Sequence, residues 1–492
     1  MAEKFLFITG HLAESRLQDQ VAGLDLEEAS WRVVNIGVKV AALMTEAIVI
    51  KRLATPLDAD RVIVPGRTRM DLKKLSSHFG VPFERGPDEL IDIPQFFGHG
   101  RRAPDLSQYD VRIFAETIEA PTLTVEAIVH RAHEQRAAGA DVIDLGCQPD
   151  THFPHLEDVI GALKAEGYKV SVDSGDTSEL ERGVKAGADF VFSLDETTLD
   201  IVADTSCVAI LVPKPHGDLA SLLRAIDAAN EKGIAHIADP ILDPIHFGFM
   251  ASLERYAQLR RARPDVEILM GTGNLTELTD ADSLGVTAAL LGVCSELEIR
   301  NVLVVQVSPH TRRTIEEHDA ARRLMYRAKS DAGLPKGYGD GLLSLHNLKP
   351  FTQTPAEISE MAAAVRDLNY RIEAAEDGVH IYNRDGHAQA TDAFALYPKL
   401  GVSDDASHAF YLGYELAKAE IAYDLGKRYT QDRPLDWGVS ADKQTDNEMR
   451  HAKEGETLKA KRAAQAKARH ERRTQQESVT PKDVKSGPKQ KI

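Results

Sequence analysis

Cysteine is nearly absent from this chain. Its three cysteines, Cys147, Cys207 and Cys294, lie far apart and show no CxxC or Cys/His ligand spacing, which argues against a disulfide framework or a structural zinc site and fits a reducing, cytoplasmic setting. Long apolar runs are missing as well. The opening stretch Phe5–Thr9 is too short for a signal h-region, and no later run approaches the length that spans a bilayer, so a soluble protein with no membrane partner is expected. Basic residues are in deficit: 59 Lys+Arg stand against 76 Asp+Glu, a net charge of −17. That balance disfavours nonspecific binding to nucleic acid, yet leaves room for a locally basic pocket built for a small anion.

What is present is globular. Hydrophobic residues at 43% and charged residues at 27% match folded domains, and 492 residues exceed what one hydrophobic core organises. Several domains are therefore expected. The end of the chain departs from this average: from about Asp442 to Ile492 it is rich in Lys, Arg, Gln and Glu and almost free of large apolar residues. Such a segment cannot bury enough surface to offset its ordering entropy, so 441–492 reads as a disordered tail with a transient helix around Glu456–Arg473. A basic RNA-contacting arm is the alternative reading, set against the expectation of no nucleic-acid partner.

Residues 1–108 alternate short apolar runs, Phe5–Thr9, Val33–Ile36, Arg61–Val64 and Val81–Phe83, with amphipathic stretches such as Val38–Ile50. This predicts a small α/β, Rossmann-like domain with a parallel sheet. Gly86–Phe97 reads as an exit linker, with Asp88 and Asp92 as surface charges. From 109 to 330 the rhythm is regular. Strands are expected at Val111–Glu116, Val142–Leu145, Lys169–Asp173, Phe190–Leu194, Val208–Val212, Ile234–Asp239, Glu267–Gly271 and Ala288–Gly292. Helices are expected between most of them, among them Thr124–Ala138, Phe153–Glu166, Thr177–Ala186 and Asp218–Lys232. The fold class is thus α/β with a central (β/α)8 TIM barrel, and an open doubly wound sheet is the runner-up, weakened by the lack of GxGxxG after the first strand. Residues 331–440 read as an α+β domain with a helix near Pro355–Leu368, strands Tyr370–Ala375 and Gly378–Tyr382, and a long helix Ala406–Gly426.

Barrels place reactive groups at the carboxy-terminal ends of their strands, and here those ends are acidic. Glu116 closes strand one; Asp144 and Gln148 flank strand two; Asp173 and Ser174 close strand three; Ser193 and Asp195 lie at strand four. Asp239 and Asp243 follow strand six, and Asn274 follows strand seven. Such a mouth permits divalent-metal binding, two-carboxylate acid/base work, or recognition of a ligand rich in N–H donors. Histidines are not placed directly at the strand ends, so donor recognition is favoured. Asp144 reads equally as a buried structural acid, and Asp243 as a cap on the turn before Pro244.

The order and spacing of these residues resemble a known superfamily. Gly139-Ala-Asp-Val-Ile-Asp-Leu-Gly146, Ser171-Val-Asp-Ser174, Ala186-Gly-Ala-Asp189, Asp239-Pro-Ile-Leu-Asp-Pro244 and Gly271-Thr-Gly-Asn274 are similar to the dihydropteroate synthase superfamily across the whole barrel. With the amino-terminal Ile8-Thr-Gly-His-Leu-Ala13 and Val40-Ala-Ala-Leu-Met-Thr45, the chain looks like the synthase-related proteins of tetrahydromethanopterin biosynthesis. The resemblance implies that Asp173 and Asp239 accept hydrogen bonds from the amino-pyrimidine edge of a pterin, with Ser193, Asp243 and Asn274 as further contacts. Glu116 stands where the family carries asparagine, which alters or removes the site of a magnesium ion carried with diphosphate; Glu116 is then its candidate ligand. Ser193 departs from the family's Asn-Asp pair, and the lysine after strand seven is absent.

Beyond strand eight, Ser308-Pro-His-Thr-Arg-Arg313 enters a helix. Free N–H groups at a helix start, with Ser308, His310, Thr311 and Arg312, make an anion site for diphosphate or a ribose phosphate; an ordinary capped helix is the plain alternative. In the third domain, His408 and Gln431 are candidates only. The resemblance thus implies a transferase, with Asp173, Asp239 and Glu116 as its catalytic residues. It would join a 6-hydroxymethyl-7,8-dihydropterin diphosphate to the arylamine 4-(β-D-ribofuranosyl)aminobenzene 5′-phosphate. A pterin-dependent methyltransferase or a noncatalytic pterin carrier is the alternative, and the oligomeric state, a homo-oligomer included, stays open.

Overall fold

A computed structural model describes residues 3–11, 13–24, 29–38, 41, 44–68, 70–87, 90–97, 104–148 and 151–442. Asp88 and nearly all of the expected tail, its Glu456–Arg473 helix included, lie outside the described residues. The chain divides into two compact units, one containing Met1–Gly100 and Leu345–Asp436, the other Arg101–Ser344 and Trp437–Lys443.

The first unit opens with four parallel strands, β1 (Glu3–Thr9), β2 (Ala29–Asn35), β3 (Arg61–Val64) and β4 (Phe83–Arg85), in the order β2-β1-β3-β4. Alternate residues of β1 serve two cores. Leu6 and Ile8 pack with Val49, Val62 and Leu75, whereas Phe5 and Phe7 pack with Leu17, Val21 and Ile93, as the two-residue period of a strand requires. Asp92 is tied to Arg428 at 2.5 Å within this unit, so it is an ion-pair partner and not a free surface charge.

The second unit is the barrel. Eight strands, β5 (Arg112–Thr117), β6 (Val142–Gly146), β7 (Lys169–Asp173), β8 (Phe190–Leu194), β9 (Val208–Leu211), β10 (His236–Ala238), β11 (Leu269–Gly271) and β12 (Asn301–Val304), pair in parallel in the order β10-β9-β8-β7-β6-β5-β12-β11. The ring closes through a single parallel bridge, Ala238 to Ile268, where Ala238 N donates to Glu267 O at 2.8 Å. Two-residue alternation sorts the side chains. Phe114, Val142, Phe190, Phe192, Ile210, Ile237 and Leu269 fill the barrel, while Ile113, Ala115, Ile143, Val170 and Val172 pack outward against the helices. Continuing the inward series by two residues along each strand leads from Phe114 to Glu116, from Val142 to Asp144 and from Ile237 to Asp239. The acids therefore stand on the apolar plug.

One expected strand is corrected. Ala288–Gly292 lies inside the helix Ser283–Leu297, and the eighth strand is β12, Asn301–Val304. The helix buries Ser283, Thr287, Leu290, Leu291 and Cys294, spaced by three and four residues, but it is apolar on most sides, so its period is weak in the sequence. The β-branched run after Ile299 supplies the strand instead.

The remaining part of the first unit has an antiparallel sheet, β13 (Arg371–Ala375), β14 (Gly378–Asn383) and β15 (Gly386–Ala390). It is covered by the helix Ala406–Leu425, which presents Leu412, Leu416, Ala419 and Ala422 to Ile372, Val379 and Ile381. Asp405 caps the start of this helix and Gly426, at φ 60°, ends it in the left-handed conformation that glycine adopts without strain.

Candidate functional site

Parallel register brings the acids of the barrel mouth side by side. Glu116 on β5 faces Asp144 on β6, Asp144 faces Ser171 on β7, and Gly146 faces Asp173. Gly146 makes room for the neighbouring acid, since a Cβ at that position would collide with the Glu116 carboxylate. Asp144 is fully buried; Ser171 Oγ donates to its Oδ1 at 2.5 Å, and its Oδ2 has no hydrogen-bond partner among the described residues.

Burial dominates the electrostatics of this group. It lifts Glu116 to about 7, with the Asp173 charge adding to it. Asp144 is raised well above the usual range by burial, then by Asp173 and Glu116. Asp173 is raised by burial, against which the hydroxyl of Ser193 pulls at 3.0 Å from Oδ1. A fourth strand end joins them. Asp239 is lifted to about 6 by burial, opposed by hydrogen bonds from Ile241 N at 2.8 Å and Tyr256 Oη at 2.9 Å, both to Oδ1. No hydrogen bond from the described residues reaches its other oxygen.

Backbone distortion accompanies these contacts. Ser193 has φ 64° and sits in a register shift between β8 and β9, which turns its hydroxyl toward Asp173. Ile241, a β-branched residue, has φ 65°, an arrangement held only where the surroundings over-determine it. Here Arg255 donates to the carbonyls of Pro240 and Ile241 and to Asp243, at 3.1, 2.7 and 2.8 Å.

The other expected contacts are committed within the protein. Asp243 accepts from Arg255 and hydrogen-bonds His216 Nε2 at 2.7 Å; burial works to raise it, but these partners outweigh burial and leave it below the usual range. Asn274 donates to Leu242 O at 2.8 Å and so braces the loop that carries Asp243. Asp195 is buried, bound by Thr197 and by Lys214 at 2.9 Å.

The expected anion site is organised around a carboxylate. Val307 N and Ser308 N donate to Glu277 at 2.8 and 3.0 Å, and Thr311 Oγ1 does so at 2.6 Å. His310 Nε2 turns to Thr276 O at 3.1 Å. Thus an internal acid holds the donors offered to an external anion. Arg312 is exposed, its carbonyl accepting from Gln306 Nε2 at 3.1 Å and its guanidinium making no hydrogen bond or ion pair among the described residues, and Arg313 pairs with Glu316 at 3.1 Å and Asp442 at 2.8 Å. In the other unit, Gln431 bonds Ile372 N, Tyr411 Oη and Tyr370 O, and the His408 ring lies 6.0 Å from that of Tyr411.

Among the described residues no group of three or more His, Cys, Asp and Glu side chains is placed to hold a metal ion, and no helix is long and apolar enough to cross a membrane. Glu116 alone does not make a protein cage for magnesium, an ion that demands near-octahedral oxygen ligation.

Sequence reasoning missed Arg255 and Tyr256. Both lie on the helix Phe249–Ala262, whose pattern marks them only as helix residues; their roles come from the loop 239–243 folding back over it.

Ladder and mouth together define a (β/α)8 barrel with a buried acidic site at its carboxy-terminal end. A family of unknown function, DUF6513, matches residues 3–88. The uncharacterized protein MJ0107 of Methanocaldococcus jannaschii is 26% identical over 522 residues, 88% of this chain and 99% of that protein. Among solved structures, the 7,8-dihydropteroate synthase from Vibrio fischeri is 18% identical over 46% of this chain and 94% of its own, with a TM-score of 0.35. The dihydropteroate synthase from Xanthomonas albilineans in complex with 7,8-dihydropteroate is 23% identical over 46% of this chain and 93% of its own, with a TM-score of 0.33. The barrel assignment rests on the strand ladder itself.

Proposed function

We propose that the barrel mouth binds a reduced pterin and that the protein is a dihydropteroate synthase-like transferase of tetrahydromethanopterin biosynthesis. The reading is carried by one observation: carboxylates at the ends of β5, β6, β7 and β10, buried at Asp144 and Asp239 and half-buried at Glu116 and Asp173, with the Asp144 Oδ2 oxygen unpartnered. Desolvated, mutually repelling acids gain most from a ligand that presents N–H donors, because each donor stabilises the ionised form that burial opposes. The amino-pyrimidine edge of a pterin is such a ligand, and Asp173 and Asp239 would grip it.

In the proposed reaction the C–O bond between the pterin methylene and diphosphate breaks and a C–N bond to the arylamine forms. The pterin ring spreads positive charge from the methylene while the two acids hold the ring in place. The nitrogen then loses a proton. Glu116, held at about 7, suits that acceptor role near neutral pH. Arg312, at the same end of the barrel, is left to meet the departing diphosphate. A magnesium ion arriving with diphosphate would find Glu116 as its protein ligand, but no step here depends on it.

Mass-spectrometric detection of the coupled product from purified protein, magnesium, the pterin diphosphate and 4-(β-D-ribofuranosyl)aminobenzene 5′-phosphate tests the proposal. Product from the wild type and none from an Asp173→Asn/Asp239→Asn double variant is the expected result. Pterin binding without product would leave a carrier or a methyl-transferring protein. Pterin affinity untouched in the double variant would remove the reading altogether.

A further inference from the structure

The end of the barrel away from the acids has the opposite electrostatic character. Strand starts there frame a cavity of about 740 Å3, within the range of small-molecule sites. Its lining includes six cationic side chains against the three carboxylates of Asp110, Asp141 and Glu267, in a chain whose net charge is −17.

Two of the six cations are spent on the wall. Arg322, 1% exposed, donates to Asp319, Asp141 and the carbonyls of Val111 and Gly139. Arg323 binds Asp319 and the carbonyls of Leu106 and Ser107. Asp141 is neutralised in the same network and also accepts from Ile113 N and Tyr109 Oη. The other four, Arg112, Arg136, Lys169 and Arg300, make no ion pair and no side-chain hydrogen bond among the described residues. Arg112 and Arg136 lie instead over the rings of Phe190 and Tyr168, at 5.6 and 5.1 Å.

Their grouping is built into the ladder. Arg112 begins β5 and Lys169 begins β7, and Arg112 N donates to Arg300 O at 2.7 Å, which sets those two residues on neighbouring strand starts. Of the carboxylates, Asp141 is already paired, which leaves Asp110 and Glu267, the latter accepting a hydrogen bond from the neutral Asn301 amide at 3.3 Å, as two negative charges against the four cations. Four cations gathered with only two counter-charges repel one another on balance, and an anion that joins them relieves that repulsion. Between this cavity and the acids stands the plug of Phe114, Phe190 and Phe192, with rings 5.0 and 5.8 Å apart.

We propose that the amino-terminal end of the barrel is a second binding site, for a small molecule bearing a diphosphate or two phosphate groups, held by Arg112, Arg136, Lys169 and Arg300. Clustered cations match a ligand with several anionic oxygens, and guanidinium groups bind such oxygens two at a time. The site is independent of the pterin reading, because its residues touch none of the acids.

Isothermal titration of the full chain with inorganic diphosphate, without magnesium, tests it. A saturable component of wild-type binding is expected to vanish in Arg112→Gln/Lys169→Gln/Arg300→Gln and to persist in Arg312→Gln, which alters the diphosphate contact proposed at the opposite end. Lys169→Gln and Arg300→Gln, single changes at exposed positions, should each weaken binding about fivefold, and Asp110→Asn should tighten it. No saturable binding in the wild type, or an unchanged isotherm in the triple variant, overturns the proposal; so does unchanged binding in both single variants if the triple variant does not fold.

Discussion

Replacing Glu116 by glutamine removes an acid that the fold holds partly protonated at neutral pH. In the folded chain Glu116 titrates at about 7, against an ordinary 4.5, because burial and the Asp173 charge both disfavour its carboxylate. The folded state therefore binds this proton more tightly than the unfolded state does. Stability from this group is fully present below the unfolded value and is lost as pH rises through the folded one. At 1.36 kcal/mol per pKa unit, the gap corresponds to about 3 kcal/mol. Between pH 4 and pH 8 the wild type should thus lose about 3 kcal/mol more of barrel stability than Glu116→Gln does. Calorimetric unfolding of the two proteins across that range measures the difference, and a 13C NMR titration of the carboxyl carbons locates the midpoint directly. A Glu116 midpoint near 4.5, or equal pH slopes in the two proteins, refutes the account of burial and repulsion at the mouth.

Other outcomes follow from the same contacts. Tyr256→Phe removes a donor to Asp239, so the Asp239 midpoint should rise further above 6 and pterin binding should weaken by about 1 kcal/mol, read as Kd against pH. Gly146→Ala should push the Glu116 carboxylate aside, shifting its NMR midpoint while changing the unfolding temperature little, because the displaced group is the free end of a flexible side chain. Arg322→Ala leaves Asp141 and Asp319 without their buried partner and should cost about 3–5 kcal/mol in urea unfolding, with pterin affinity unchanged.

Sequence pattern located the barrel where strands are short apolar runs between turn signals. Lys169–Asp173 and Phe190–Leu194 are found as expected, because β-branched and aromatic residues there are buried on both faces. Pattern failed at Ala288–Gly292, where a helix apolar on most sides carries no usable period. At the mouth, the acids were legible from their place at strand ends, but their partners were not. Glu277 meets Ser308 and Thr311 across some thirty residues, and no local signal announces that it takes their donors. Ser193 shows the same limit, since its orientation comes from a register shift and a left-handed backbone that its neighbours impose.

The lone bridge between Ala238 and Ile268 gives the cylinder a seam. Everywhere else the staves are joined by at least two paired positions, so the ring should part there first, with the Ala238 amide exchanging its hydrogen sooner than those of β6 and β7. Asp239 rides on the stave beside that seam and Asp173 on one well away from it. Asp239 is thus the acid whose backbone borders the joint that yields most easily, while the staves from β7 to β10 stay laced through β8 and β9.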